Sequence, residues 1–307
     1  MAQLTVSDVL ARIEAGQSLA KAELSGLDLS KACLDRGDFS SAYLRRTRFY
    51  QASCRETNLS QATLTLADFS ESCLEDANLT QAVLIQANLT QANLRRVKAT
   101  QANFHAVKLD QADGSHANFD HTDWREANGP QACFSQASFV SAQLSQANFS
   151  RSSFTGARLS SSNWQRATLS GTSFSSADLT RANLSEAILV GANLSEASVL
   201  DATLQQADLT GASLQRTQLD WSNLWNAVLM QADLQGASLC NANLESANLS
   251  GANFKGADLR EANLENAQME GACFEQCRLE GALFSGVTGL SPEQKQSLKR
   301  QGALNII

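Results

Sequence analysis

An all-β solenoid of square coils is the fold this sequence predicts, and three observations carry the prediction. Counting by fives from Leu24 lands on Leu29, Leu34, Phe39 and onward to Phe284, 53 positions without an insertion, of which 32 are Leu and 13 are Phe. The residue two before each is Ala at 39 of the 53, and otherwise mostly Ser or Thr. Between the two stands very often Asn or Asp, as at Asn78, Asn88, Asp178 and Asp208. A period of five is neither the two of a strand nor the 3.6 of a helix. Held this long, it marks units that stack because none can bury its apolar face alone.

One large and one small inward residue per five leave a short extended face and a corner. Four right-angle corners close a coil of about 20 residues, and coils stack at about 4.8 Å, so some thirteen coils give a rod of roughly 60 Å. Asn, Asp, Ser and Gly suit the corners, because they bond local backbone or allow unusual dihedrals.

Open sheet edges at both ends require covers. Val6, Val9, Leu10 and Ile13 have helical spacing, with Thr5 as N-cap, Leu4 and Val9 as a hydrophobic staple and Gly16 as the stop. Ser291-Pro292-Glu293-Gln294 reads as a capping box with proline at the first helical position, and Gly302 ends that helix. The apolar tail Leu304-Asn305-Ile306-Ile307 must dock somewhere. The organisation expected is a helical cap over 1–21, the β-helix over 22–287, and a second helical cap with the tail over 288–307.

The A-[DN]-L-x-x units of residues 22–287 resemble the pentapeptide-repeat family, of bacterial type. That resemblance implies a right-handed quadrilateral parallel β-helix of about thirteen coils.

Eight positions depart from Leu or Phe: Cys54, Ala99, Gly114, Trp124, Gly129, Trp164, Val199 and Met269. Val97 before Ala99 exchanges large for small and keeps the volume of one face. Gly114 and Gly129 would leave holes, which Phe119, Trp124 and Phe134 on neighbouring faces are expected to fill, since cavities cost stability. A local kink or a ligand's approach near 99–129 is the other reading.

The composition bounds the function. Formal net charge is −7, from 24 basic and 31 acidic residues, which argues against a nucleic-acid binder. No apolar run approaches the roughly 18 residues of a membrane span. The start MAQLTVSDVLARIEAGQSL lacks a cationic region followed by an apolar one, so no signal peptide is expected and the cytoplasm is the expected location, with leaderless export left open. Seven cysteines do not make a disulfide framework. Cys33, Cys73, Cys133 and Cys273 share one outer column, but two coils separate the first pair, near 10 Å by strand spacing. That is too far for a disulfide or a shared metal. Cys54 and Cys277 point inward. His105, His116 and His121 are expected on the surface, and no metal or cofactor is expected. There is no Ser/His/Asp set, P-loop or dinucleotide loop, and a filled rod has no interior pocket; the chain reads as no enzyme.

Specificity must then lie outside. Trp221 and Trp225 occupy corners, with Val228 and Met230 outward beside them and Ile188, Val190 and Leu200 within two coils. Leu200 is expected beside Trp221, and Ile188 and Val190 on the face of Val228 and Met230. Such a patch reads as a protein-binding site. YLRRTRFY places Tyr43, Arg45, Arg46, Arg48 and Tyr50 outward, with Arg95, Arg96 and Lys98 on another face; basic residues among aromatics can bind nucleic acid or form a solvated charged face. Glu265, Glu270, Glu275 and Glu280 each follow a core residue and form an acidic collar, which discourages end-to-end stacking, meets a basic partner or serves solubility.

The function expected is a non-enzymatic scaffold or adaptor whose rigid rod binds a protein partner of unknown identity. The run DVLARIEAGQSLAKAELSGLDLSKACL is similar to segments of bacterial type VI secretion proteins that handle effectors. The family resemblance implies an alternative, since some members mimic DNA, bind DNA gyrase and protect it from topoisomerase poisons; these dimerise through C-terminal segments, a role open to the tail. Two features stand against that alternative. Residues 31–130 hold 11 basic and 12 acidic residues rather than an acidic stripe, and no loop interrupts the register.

Overall fold

The computed structural model describes residues 4–306, in two compact units, Met1–Ala157 and Arg158–Ile307. Each unit is a right-handed quadrilateral β-helix built from single-residue parallel bridges twenty residues apart. In the first unit one ladder runs Glu23, Tyr43, Thr63, Val83, Asn103; in the second, one runs Ile188, Asp208, Val228, Asn248, Gln268. The coil length is the one the period predicts.

Backbone accounting explains why the motif reads A-[DN]-L. In the first unit Leu59 N–H donates to the Asn78 carbonyl at 2.8 Å, Gln61 N–H to Thr80 at 2.9 Å, Ala62 N–H to Leu59 at 3.1 Å and Thr63 N–H to Ala42 at 2.9 Å. That satisfies four of the five donors in a repeat. The fifth, Ser60 N–H, is taken by the Asn58 side-chain oxygen at 3.2 Å. The second unit repeats the scheme: Leu184, Glu186, Ala187 and Ile188 donate to backbone, and Ser185 N–H to Asn183 Oδ1 at 3.0 Å. Asn and Asp therefore stand on the face and reach to the corner, rather than occupying it as the sequence suggests. Their side chain satisfies the one donor that the coil-to-coil ladder leaves over.

The corner itself carries a residue in the left-handed region, two after the core residue. Gln61, Gln81, Arg96, Glu186 and Trp221 all have φ between 55° and 62°. The fold imposes this conformation whatever the side chain.

Inside, the Leu or Phe is buried in both stacks, and so is the usually small residue two before it except in the first coil, where Ala22, Leu27 and Ala32 are half-buried. Aromatic rings stack coil on coil: Phe49 on Phe69 with centroids 4.3 Å apart, and Phe104 on Trp124 at 4.1 Å. Each buried indole has a partner at the small position, Thr122 for Trp124 Nε1 and Ser162 for Trp164 Nε1, both at 2.8 Å. The glycine gaps are filled differently from expectation. A Cβ on Gly114 would stand 2.6 Å from the Phe134 ring and 3.2 Å from Phe119, and one on Gly129 would stand 2.9 Å from Phe149. Phe134 and Phe149 lie on the same face one coil later, so the main filling is along the stack, and Phe119 alone comes from a neighbouring face.

Helix α1 spans Val6–Glu14 and ends before Gly16, whose φ is 64°. Thr5 caps it in a box closed by Asp8. Val9 is fully buried, while Leu4, Val6, Leu10 and Ile13 are half-buried. Helix α2 spans Pro292–Arg300 with the expected Ser291–Gln294 box. The tail docks on its own unit: Leu304 bridges Leu283, and Phe284 N–H donates to the Leu304 carbonyl at 3.0 Å. Ile306 is buried, while the Leu304 side chain is exposed. Among the described residues no helix is long and apolar enough to cross a membrane.

Candidate interaction surface

Two bulky apolar residues among those described have a positive φ, Leu66 and Trp221, both at 62°. L-residues of this size rarely adopt that region, and here both side chains also face solvent, Leu66 37% and Trp221 66% exposed. Nothing in packing asks for either.

Trp225 starts the next corner, its N–H held by Asn223 Oδ1 at 3.0 Å, and is 38% exposed. Val228 and Met230 follow on the same coil, Met230 exposed and Val228 half-buried. Two coils away Ile188 and Val190 are exposed. The structure thus places Ile188 and Val228 on one ladder as expected, but Asp208 stands between them, and its carboxylate accepts from Thr210 N–H at 3.0 Å. The apolar surface is therefore two strips with a polar coil between. Leu200 lies half-buried at the corner directly below Asp220, the residue before Trp221. Ile188 and Val228 also lack the side-chain acceptor that Asn or Asp supplies elsewhere, so both give up the bond to the corner N–H. This second cost of an outward aliphatic was missed from sequence, because only the hydrogen-bond pattern reveals it.

Of the basic group, Arg48 pairs with Asp28 at 2.6 Å, and Tyr50 Oη donates to Glu71 at 3.5 Å. Tyr43 is 52% exposed, and Arg45 and Arg46 are exposed. Arg95 lies 4.0 Å from Asp113, and Arg96 binds both Glu75 and Asp76. The four collar glutamates occupy the first corner position of four successive repeats; Glu275 lies 3.7 Å from Lys255, Glu265 accepts from Ser285 Oγ, and Glu270 and Glu280 are exposed.

All seven cysteines are free. Burial pushes the Cys54 thiol well above its ordinary range and Cys277 up to about 12, and Cys277 Sγ donates to the Phe254 carbonyl at 2.9 Å. His116 and His121 are exposed, whereas His105 is half-buried with Nδ1 unpartnered. No group of described residues has metal-binding geometry. A cleft of about 340 Å³ lies between α2 and the last coil, lined by Phe274, Glu275, Gln294, Leu298 and Gln301. A second lies beside α1 and is bordered by Arg12, Lys21 and Tyr43. Cys273 and Ser297 also line the first cleft, and Ser18, Glu23 and Ser25 the second; no histidine is among the lining residues of either.

Family models described as pentapeptide repeats match residues 42–81, 77–113, 115–151, 222–245, 227–266 and 247–286, and one described as a pentapeptide repeat region matches 147–224. No curated protein matches the chain. Among solved structures, the chain is similar to HetL, a pentapeptide repeat protein involved in heterocyst differentiation regulation from the cyanobacterium Nostoc sp. strain PCC 7120, at 29% identity over 92% of this chain and 97% of that one, with a TM-score of 0.22. A pentapeptide repeat protein of the Arabidopsis thaliana thylakoid lumen is 32% identical over 31% of this chain and 74% of its own, with a TM-score of 0.21. Full-length QnrB1, a plasmid-mediated fluoroquinolone resistance protein, is 18% identical over 64% of this chain and 91% of its own, with a TM-score of 0.27. With its unbroken five-residue register and twenty-residue coils, the chain belongs to the pentapeptide-repeat family.

Proposed function

We propose that this protein is a non-enzymatic scaffold that docks a protein partner through Trp221, Trp225, Val228 and Met230, with Ile188, Val190 and Leu200 at the margin. The observation that carries the reading is Trp221: a large indole, two-thirds in solvent, on a corner whose left-handed conformation disfavours it. Bulky residues kept where the fold gains nothing point to a surface used in binding, and Trp is the residue most enriched at binding hot spots. A role beside type VI secretion effectors rests on the resemblance of the N-terminal run alone. DNA mimicry would need continuous acidic columns. Here carboxylates alternate with arginines along the stack, as in Asp28–Arg48, Arg36–Glu56 and Arg166–Glu186.

The test is a W221S/W225S variant. Proteins that co-purify with the wild type and are identified by mass spectrometry should be lost, while the melting midpoint moves little, because neither side chain belongs to the core. An unchanged set of partners removes the proposal. A gyrase supercoiling assay should show no inhibition.

A further inference from the structure

The fold has a pairing rule for corner charges. A corner residue sits directly between those twenty before and twenty after it, and six corner arginines use that neighbour. Arg36 pairs with Glu56, Arg55 with Glu75, Arg96 with Asp76, Arg166 with Glu186, Arg181 with Asp201 and Arg216 with Glu196. Arg95, Arg125 and Arg260 instead reach Asp113, Asp123 and Asp258, and Arg151 pairs with none among the described residues; Arg45 and Arg46 are the adjacent pair left without a carboxylate. Their neighbours along the stack are Ser25 and Thr65, and Gly26 and Leu66. Among the described residues neither has an ion-pair partner, and both are exposed. Two adjacent guanidinium groups are thus left without a carboxylate in a chain of net charge −7.

The ground beside them is apolar. Leu66 stands next along the stack, on a corner where the following coil has Gln86. Leu66 N–H donates to the Ile85 carbonyl at 2.9 Å, which places Ile85 over Thr65 and Arg45. The face beside this corner carries the ladder Tyr43, Thr63, Val83. Tyr43 and Val83 take the position at which Asn or Asp would hold the corner N–H, so they repeat the cost seen at Ile188 and Val228. Three features that the fold does not need coincide here: an uncompensated arginine pair, a leucine in the left-handed region, and outward apolar residues at the Asn position.

We infer that this corner of the first unit is a docking surface for an acidic, extended peptide that also carries a bulky apolar side chain. Each guanidinium offers a carboxylate two parallel hydrogen bonds. From the Arg45–Arg46 coil to the Val83–Ile85 coil is two strand spacings, roughly 10 Å, or about three residues of extended chain. The peptide's apolar residue therefore follows its acidic pair by about three positions. Nucleic acid fits less well. A phosphate track needs basic groups in series, and the next one, Arg48, is neutralised by Asp28.

The experiment pans a phage-displayed random dodecapeptide library on the full-length protein, with counter-selection on R45E/R46E. Enriched peptides should carry acidic residues with an apolar one about three positions away. A labelled enriched peptide should bind R45E/R46E at least about tenfold more weakly. It should bind L66Q more weakly too, a substitution that installs the residue found on the next corner and so keeps the fold. W221S/W225S should bind it like the wild type, which separates this surface from the one proposed above. No enrichment, a consensus without acids, equal binding by R45E/R46E, or Arg45- and Arg46-dependent binding of single- or double-stranded DNA in place of the peptide would each overturn the assignment.

Discussion

The two units share one backbone and meet its left-handed corners in different ways. The first unit stacks amides. Gln61 donates to Gln81 at 3.1 Å and Gln81 to Gln101 at 2.9 Å, and a second ladder joins Gln91, Gln111 and Gln131 at 2.9 and 3.2 Å. The second unit uses glycine more often, as at Gly171, Gly191, Gly211, Gly236, Gly251, Gly256 and Gly271. Glycine removes the strain locally. A glutamine ladder accepts it and offsets it with hydrogen bonds that exist only because coils repeat at the strand spacing. The cores differ as well. Nine of the 13 Phe and Trp124 lie in the first unit, among the glycine and alanine departures, while most of the second is plain Leu.

The largest effect that tests this contrast is in the core. Phe134→Ala should cost about 3–5 kcal/mol and Leu234→Ala about 2–5 kcal/mol, read by urea unfolding followed by circular dichroism. Gly114→Leu restores the repeat, yet it should destabilise, because its Cβ meets the Phe134 ring at 2.6 Å. Combined with Phe134→Ala it should lose much less than the two changes summed, a coupling of at least about 1 kcal/mol. Strict additivity would show that Phe134 does not fill the Gly114 site.

The repeat made the fold and its inward residues legible, because a period of five over so many units admits one closed geometry. The corner chemistry was less so. Asn and Asp look like corner residues by type, and only the hydrogen-bond accounting puts them on the face, as Asn58 shows. The outward Trp221 and Trp225 were visible as breaks in a pattern, but the intervening Asp208 needed the coil register. Arg45 and Arg46 looked like part of one basic run. The neighbours twenty residues away separate them from Arg48, and those neighbours become meaningful only once the coil length is known.

A smaller effect tests the corners. Gly211→Ala meets no atom within 4 Å, so its cost, about 1 kcal/mol, comes from the left-handed backbone alone. Gln91→Gly relieves the same strain but breaks the contact to Gln111 at 2.9 Å, and should leave the unfolding midpoint nearly unchanged. A clear gain in stability from Gln91→Gly would show that the amide ladder contributes nothing.

The smallest effect compares one carboxylate from each unit under acid. Asp258 titrates below the ordinary carboxylate range, chiefly through hydrogen bonds from Arg260, with Arg278 also 3.1 Å away. Asp123 is also lowered, but there burial is the largest influence and pushes upward, and the Arg125 side chain at 2.6 Å, that residue's backbone N–H and nearby charge together overcome it. Both groups have folded values below their unfolded ones, so each stabilises the fold above the unfolded value, about 3.9, and that contribution disappears as pH falls through the folded value. Arg260→Gln leaves Arg278 beside Asp258, so its titration should rise only modestly. Arg125→Gln leaves burial opposed by the backbone N–H of residue 125 and the pull of His105. Asp123 should therefore move up further, and that variant should lose more of its acid-dependent stability. Carbon-detected NMR titration of the two carboxyls reads both shifts, and a larger movement at Asp258 than at Asp123 would reverse the ranking of burial and pairing in the two units.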